Sequence, residues 1–155
     1  MSLTRIEVDA DPRGRRSQVR LDSSHPNGRG HLAARILAFG HSSARVALVA
    51  ESALLLAGDL VEVDVSVGPF AELDLVEPSG TIAYDMRGGS ASWRVRVRLA
   101  EGSRLRWQGK PFVLAQGAKV DRDVQIDLQT GATATLRETL VLGRSGEPGG
   151  RLTQR

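Results

Sequence analysis

Strict alternation of apolar and polar residues dominates the middle and the end of the chain. In Leu60–Val67 (LVEVDVSV), Val61, Val63, Val65 and Val67 fall on one side and Glu62, Asp64 and Ser66 on the other. Residues 93–99 (WRVRVRL) repeat the device, with Trp93, Val95, Val97 and Leu99 opposed to Arg94, Arg96 and Arg98. Residues 124–128 (VQIDL) do so a third time. A pleated strand with one dry and one wet face requires this two-residue period. Residues 45–50 (RVALVA) also predict a strand. Residues 31–39 are ambiguous: Leu32, Ile36 and Phe39 fit a helix face, while Leu32, Ala34, Ile36 and Ala38 fit a strand.

Each alternating run meets a glycine turn and then a second strand-like run, at 63–75, 95–107 and 124–136. Gly68, Gly102 and Gly131 mark the turns, where positive φ costs glycine little. The pattern predicts three hairpins that stack into a sandwich or a coiled arrangement of strands. The wet positions of the first are acidic (Glu62, Asp64, Glu72, Asp74) and those of the second basic (Arg94, Arg96, Arg98, Arg104, Arg106), so the two are complementary if they lie side by side. Residues 1–30 are broken by Pro12, Gly14, Pro26, Gly28 and Gly30. Only 6–8 and 19–21 read there as short strands, and the segment is expected to be loosely structured. The predicted fold is mainly β: stacked hairpins in a two-layered, sandwich-like body over 31–155, with few short helices.

Composition narrows the chemistry. The 155 residues include no cysteine, which excludes a disulfide scaffold, a thiolate zinc site and cysteine catalysis. No apolar run is long enough to cross a bilayer or to form a signal peptide, so a cytoplasmic protein is expected. The net charge of +3 and a pI near 10.1 invite a nucleic-acid reading. The arginines are dispersed, however, and aromatic residues, at 4%, are few for stacking bases. A nucleic-acid-binding or ligand-binding β module remains the alternative, with Trp93, Trp107 or Tyr84 the aromatic residues that would line a ligand pocket.

No catalytic constellation emerges. Residues 40–44 (GHSSA) half-match a serine nucleophile elbow, but β-patterned sequence follows where a helix is needed, and no histidine comes after His41. A small-residue hairpin turn is the simpler reading. His25, His31 and His41 match no compact ligand spacing and are expected on the surface or in loops. The Gly109–Lys110 pair lacks the spacing and the hydroxyl of a phosphate loop. The carboxylates Asp59, Asp85, Asp121, Glu138 and Glu147 cannot be paired from sequence. The chain is read as a non-enzyme.

Four segments, in order, carry a resemblance: 54–67 (LLLAGDLVEVDVSV), 80–89 (GTIAYDMRGG), 111–118 (PFVLAQGA) and 138–147 (ETLVLGRSGE). Over about 44–147 the chain resembles the urease accessory protein family called UreD or UreH, in its arginine-rich actinobacterial form. The resemblance implies a two-layered β protein that acts as a maturation chaperone. It would bind apo-urease and recruit the helical accessory protein UreF and, through it, the GTPase UreG, for insertion of nickel into the urease active site. It implies no cofactor of its own, nickel being handled in transit, and no nucleic-acid or membrane partner. The matching residues singled out are Gly58, Asp59, Tyr84, Asp85, Met86, Gly143, Arg144 and Glu147. Arg144 is expected to be a buried or bridging partner of Glu147 or Glu138. In the family further strands follow the last segment, so the chain reads as lacking the usual C-terminal part, with an unpaired strand edge there.

Overall fold

The computed structural model describes residues 1–24 and 31–155. Twelve strands follow one another: β1 (Ser2–Asp9), β2 (Gln18–Ser24), β3 (Leu32–Phe39), β4 (Ser43–Ala50), β5 (Leu60–Val67), β6 (Glu72–Val76), β7 (Thr81–Ala83), β8 (Ala91–Leu99), β9 (Arg104–Leu114), β10 (Lys119–Leu128), β11 (Thr133–Leu142) and β12 (Arg151–Gln154). No helix occurs among the described residues. One sheet runs in the order β12-β10-β8-β5-β1-β2. The other runs β11-β9-β6-β4-β3, with β7 also against β9. The mainly β, two-layered expectation holds.

The three glycine-turn units are arches, not hairpins. β5, β8 and β10 lie parallel in the first sheet, and β6, β9 and β11 lie parallel in the second. Each turn therefore carries the chain across the core into the opposite layer, and each unit stacks in register on the one before. Like residues then meet along every column. Ile6, Val65, Val97 and Ile126 share an inward column, and Val8, Val67, Leu99 and Leu128 the next. Across the core stand Ala44, Leu73, Leu105 and Ala134. Buried branched side chains on facing layers make the core.

On the outer faces the acidic first arch lies against the basic second. Glu62 pairs with Arg94 at 3.4 Å, Asp64 with Arg98 at 2.8 Å, and Asp74 takes a bidentate contact from Arg106 at 2.9 and 3.0 Å. Such exposed pairs set the register of neighbouring strands more than they add stability.

Residues 1–30 are not loosely structured where described. β1 sits inside the first sheet between β2 and β5. Its inward row is Ser2, Thr4, Ile6 and Val8, so polar residues at half the dry positions blur the alternation. The Thr4 hydroxyl is accommodated by donating to the Leu32 carbonyl at 2.6 Å. The antiparallel pairs β1–β2 and β3–β4 close this end of the stack.

Candidate functional site

All the residues singled out by resemblance fall along one side of the stack, on loops that lead from the second sheet back to the first. Loop 51–59 joins β4 to β5, 84–90 joins β7 to β8, 115–118 joins β9 to β10, and 143–150 joins β11 to β12. Parallel stacking of the strands forces these loops to stack as well. Gly58 N–H donates to the Ser90 carbonyl at 2.9 Å, and Ser92 N–H to the Asp59 carbonyl at 2.8 Å. Met86 N–H donates to the Gly117 carbonyl at 3.1 Å, and Gly143 N–H to the Leu114 carbonyl at 2.8 Å. The result is a continuous ridge that brings Gly58, Asp59, Tyr84, Asp85, Met86, Gly143, Arg144 and Glu147 to one side of the molecule.

Within the ridge the carboxylates brace their own loops. Asp59 accepts from Leu56 N–H, and Asp85 from Arg87 N–H, each at 2.9 Å. Met86 is buried and anchors its loop, while Tyr84 is half-exposed. Leu55 and Arg87 adopt left-handed backbone, with φ of 57° and 47°. Non-glycine residues held this way concentrate where function over-determines local geometry.

Arg144 bridges to Glu147, with guanidinium contacts of 2.9 and 3.1 Å. The expected bridge to Glu147 is present, but it is exposed and not buried, a surface clasp across one loop, and Glu138 pairs elsewhere. A second contact, from Gln116 N–H to Glu147 at 3.3 Å, ties it to the neighbouring loop. The Arg144 guanidinium, and then its backbone N–H, hold the Glu147 carboxyl down at about 2. A carboxyl titration by NMR should therefore place Glu147 near 2, and Arg144→Ala should return it toward the ordinary carboxylate range with the strands intact. A midpoint unmoved by that substitution would contradict the clasp.

A second polar feature lies between the sheets. β6 and β7 occupy one lane against β9 and are separated by residues 77–80. Opposite the break β9 carries Gly109, Lys110 and Pro111, and β11 shifts register between Arg137 and Thr139. Three adjacent irregularities reset the alternation there; Glu77 is partly buried, and Glu138, though exposed, reaches the buried Arg122. From the first sheet Arg122 points inward, in the column of Ser2, Val61 and Trp93.

Arg122 is only 7% exposed, is ion-paired with Glu138, and lies with its guanidinium carbon 5.5 Å from the centre of the Phe112 ring. Glu77 accepts from Trp107 Nε1 at 2.9 Å and from Lys110 N–H at 3.2 Å. Burial pushes the Glu77 carboxyl up, against these hydrogen bonds and the Arg122 charge. Arg122 Nε and Nη1 and Trp93 Nε1 are buried with no hydrogen-bond partner among the described residues.

These groups surround a cavity of about 20 Å³, the size of a single water and far below a small-molecule site. Trp93 and Trp107 are buried in the core, so of the three aromatic residues considered for a ligand pocket only Tyr84 is exposed. Arg122 and Glu77 were missed by sequence reading. The signal for Arg122 was a charge at a dry position of the alternating series Val120, Arg122, Val124.

The remaining candidates disperse. Residues 40–42 form the turn of the β3–β4 hairpin, and His41 Nδ1 lies 2.8 Å from the Gly14 carbonyl. His31 lies in the loop just ahead of β3, as one of the two expected placements has it, but is buried there, with Nε2 3.4 Å from Glu51. His25 lies outside the described residues. Among the described residues no group of three or more histidine, aspartate or glutamate side chains is placed to hold a metal ion. No helix among the described residues is long and apolar enough to cross a membrane.

Stacked parallel arches, a braced loop ridge and a small charged interior define a rigid two-layered β protein whose candidate surface is built from loops. Comparison then gives the family: the UreD urease accessory protein family matches residues 5–155, and the chain belongs to it. It is 60% identical over 111 residues to "Urease accessory protein UreD 1" of Streptomyces griseus, covering 72% of this chain and 44% of that protein. To "Urease accessory protein UreD" of Streptomyces avermitilis it is 37% identical over 152 residues, covering 97% and 58%. The chain thus spans about half the length of the curated relatives it matches.

Proposed function

We propose that this chain serves urease maturation as a rigid β scaffold: it binds apo-urease, recruits UreF and through it the GTPase UreG, and makes or breaks no covalent bond itself. The observation that carries this reading is the family match over nearly the whole chain, to relatives named as accessory proteins. The structure supports it by gathering the family-matching residues onto one braced ridge, where loops on a rigid scaffold suit partner recognition. Nickel is the cargo of the complex. Carboxylates such as Glu77 and Glu138 are of the donor type a borderline cation accepts, and they offer it no thiolate trap. The outer arginines support the absence of a nucleic-acid partner. They alternate with carboxylates in register, leaving mixed acidic and basic faces among the described residues.

The test is co-expression with urease subunits and the other accessory proteins, followed by pull-down and a urease assay with nickel. Co-purification and nickel-dependent activity are expected. Tyr84→Ala with Arg144→Ala should reduce co-purification at unchanged circular dichroism. Failure of the parent chain to co-purify or to raise activity would overturn the proposal. Undiminished binding by the double variant would move the partner surface off the ridge.

A further inference from the structure

The end of the stack formed by β2 and β3 is only partly closed. These strands are the edges of the two sheets there, and each is preceded and followed by further strands of the chain. Ile36 and Phe39 pair directly with Val46 and Ala44, which are buried, so all four share the core-facing side of the second sheet. Yet Ile36 is 42% exposed and Phe39 48%. The register shift between Ile36 and Ala38 turns Leu37 out as well, at 55%. Val19 and Leu21 of β2 pack against the core but leave this row uncovered.

A group of uncompensated charges stands beside these apolar residues. The loop from β1 to β2 is sewn onto the β3–β4 turn. Ser17 N–H donates to the Gly40 carbonyl and Ser17 Oγ to the Ser43 carbonyl, each at 2.8 Å, and His41 Nδ1 lies 2.8 Å from the Gly14 carbonyl. The Arg16 guanidinium carbon comes 5.3 Å from the centre of the Phe39 ring. Arg13, Arg15 and Arg16 are all exposed, and none has an ion-pair partner among the described residues. The carboxylate of this loop, Asp11, accepts from Arg13 N–H at 2.9 Å. On the strand faces, by contrast, Arg94, Arg98 and Arg106 each meet a carboxylate.

We propose that Arg13, Arg15, Arg16, Ile36, Leu37 and Phe39 form a docking surface for an acidic polypeptide segment of a partner protein, one that carries apolar side chains between its carboxylates. The carboxylates take the guanidiniums in charge-assisted hydrogen bonds, and the apolar side chains enter the gap over Ile36 and Phe39. A nucleic acid would use the arginines but leave the aliphatic side chains wet, and the Phe39 ring is already faced by Arg16. A bilayer surface suits outward-facing apolar residues, whereas Ile36 and Phe39 lie on the core-facing side, where single side chains reach them. The inference needs none of the partners proposed above and stands apart from the urease reading.

The probe is a nine-residue synthetic peptide with leucine at alternate positions and glutamate between. It is compared with the same peptide carrying lysine for glutamate, and with one carrying serine for leucine. In an NMR titration of the intact chain, the glutamate–leucine peptide should shift the amides of 13–17 and 36–41, and less so as salt is raised. Fluorescence anisotropy should give it an advantage of about tenfold over the serine peptide, the worth of burying about two methylene groups. Arg13→Ser with Arg15→Ser should weaken it about fivefold, the span of two exposed ion pairs. Phe39→Ser should bring it down to the level of the serine peptide, and the exposed Leu37→Ser reads the same apolar contribution should Phe39→Ser unsettle the β3 edge. Four results would overturn the proposal: equal binding of the lysine peptide, equal binding of the serine peptide, no loss with the arginine substitutions, or tighter binding of a thymidine oligonucleotide or of phosphatidylserine vesicles than of the glutamate–leucine peptide.

Discussion

Arg122→Met is expected to cost the fold about 3–5 kcal/mol, the typical loss when one member of a buried ion pair is removed. Arginine is tolerated in that dry column because Glu138 neutralises it, the Phe112 ring lies under it, and Glu77 adds a second carboxylate nearby. Without the cation, the partly buried Glu77 and the rim residue Glu138 are left lining a cavity with room for one water. Urea unfolding followed by tryptophan fluorescence reads this directly, since Trp93 and Trp107 line the same space. Arg122→Met combined with Glu138→Leu and Glu77→Gln should recover most of the loss, because well-packed neutral groups can replace a buried ionic cluster. The exposed Arg98→Met, which also breaks an ion pair, should cost well under 1 kcal/mol. A cost for Arg122→Met as small as that for Arg98→Met would mean that Glu77 and Glu138 turn out to solvent.

The same cluster gives the fold a pH dependence of unusual sign. Folded Glu77 holds its proton more tightly than the unfolded chain does, because burial raises its pKa from the ordinary 4.5. Its contribution is therefore fullest below 4.5 and is lost as pH rises through the elevated folded value. Glu147 works in the opposite sense: its contribution is present above 4.5 and is lost as pH falls through about 2. Glu77→Gln should remove the decline on the alkaline side and leave the acid limb in place. Stability curves against pH for the two proteins that run parallel above 4.5 would contradict this assignment.

Alternation gave the strands and their dry faces correctly because a period of two is local: Val61, Val63, Val65 and Val67 declare their side without reference to any neighbour. Pairing is not local. An arch and a hairpin share one sequence pattern, so the parallel stacking of β5, β8 and β10 was not legible, although the acidic and basic rows already implied that the first two arches are neighbours. β1 was obscured by Ser2 and Thr4 at dry positions, where Thr4 relies on the Leu32 carbonyl, a partner distant in sequence. The ridge residues could be chosen only by resemblance. Gly58 and Glu147 become neighbours of a common surface through strand stacking, which no spacing along the chain reveals. Arg122 was in principle visible as a charge out of phase, but its partners Glu77 and Glu138 come from irregularities in the second sheet.

Gly102→Val should destabilise the protein by about 2–3 kcal/mol, and its companion substitution tests the register of the arches. Taken from the glycines, Gly68 is the first turn's counterpart of Gly102 and Gly131. Strand pairing says otherwise: Val67, Leu99 and Leu128 align, so the third turn residue is Phe70, Gly102 or Gly131. Their φ values agree, at 56°, 64° and 70°. Phe70 N–H donates to the Glu101 carbonyl at 2.9 Å, and Gly102 N–H to the Thr130 carbonyl at 3.0 Å, the same bond one layer on. A side chain at Gly102 meets both the left-handed backbone and the Phe70 ring, 2.6 Å from where its Cβ would stand. Phe70→Gly should cost nothing or stabilise slightly, because it relieves left-handed strain at an exposed aromatic residue and clears the space above Gly102. In that background Gly102→Ala should cost less than it does alone, since only the backbone term remains. Equal costs in the two backgrounds would separate Phe70 from Gly102 and put the turn column back on Gly68.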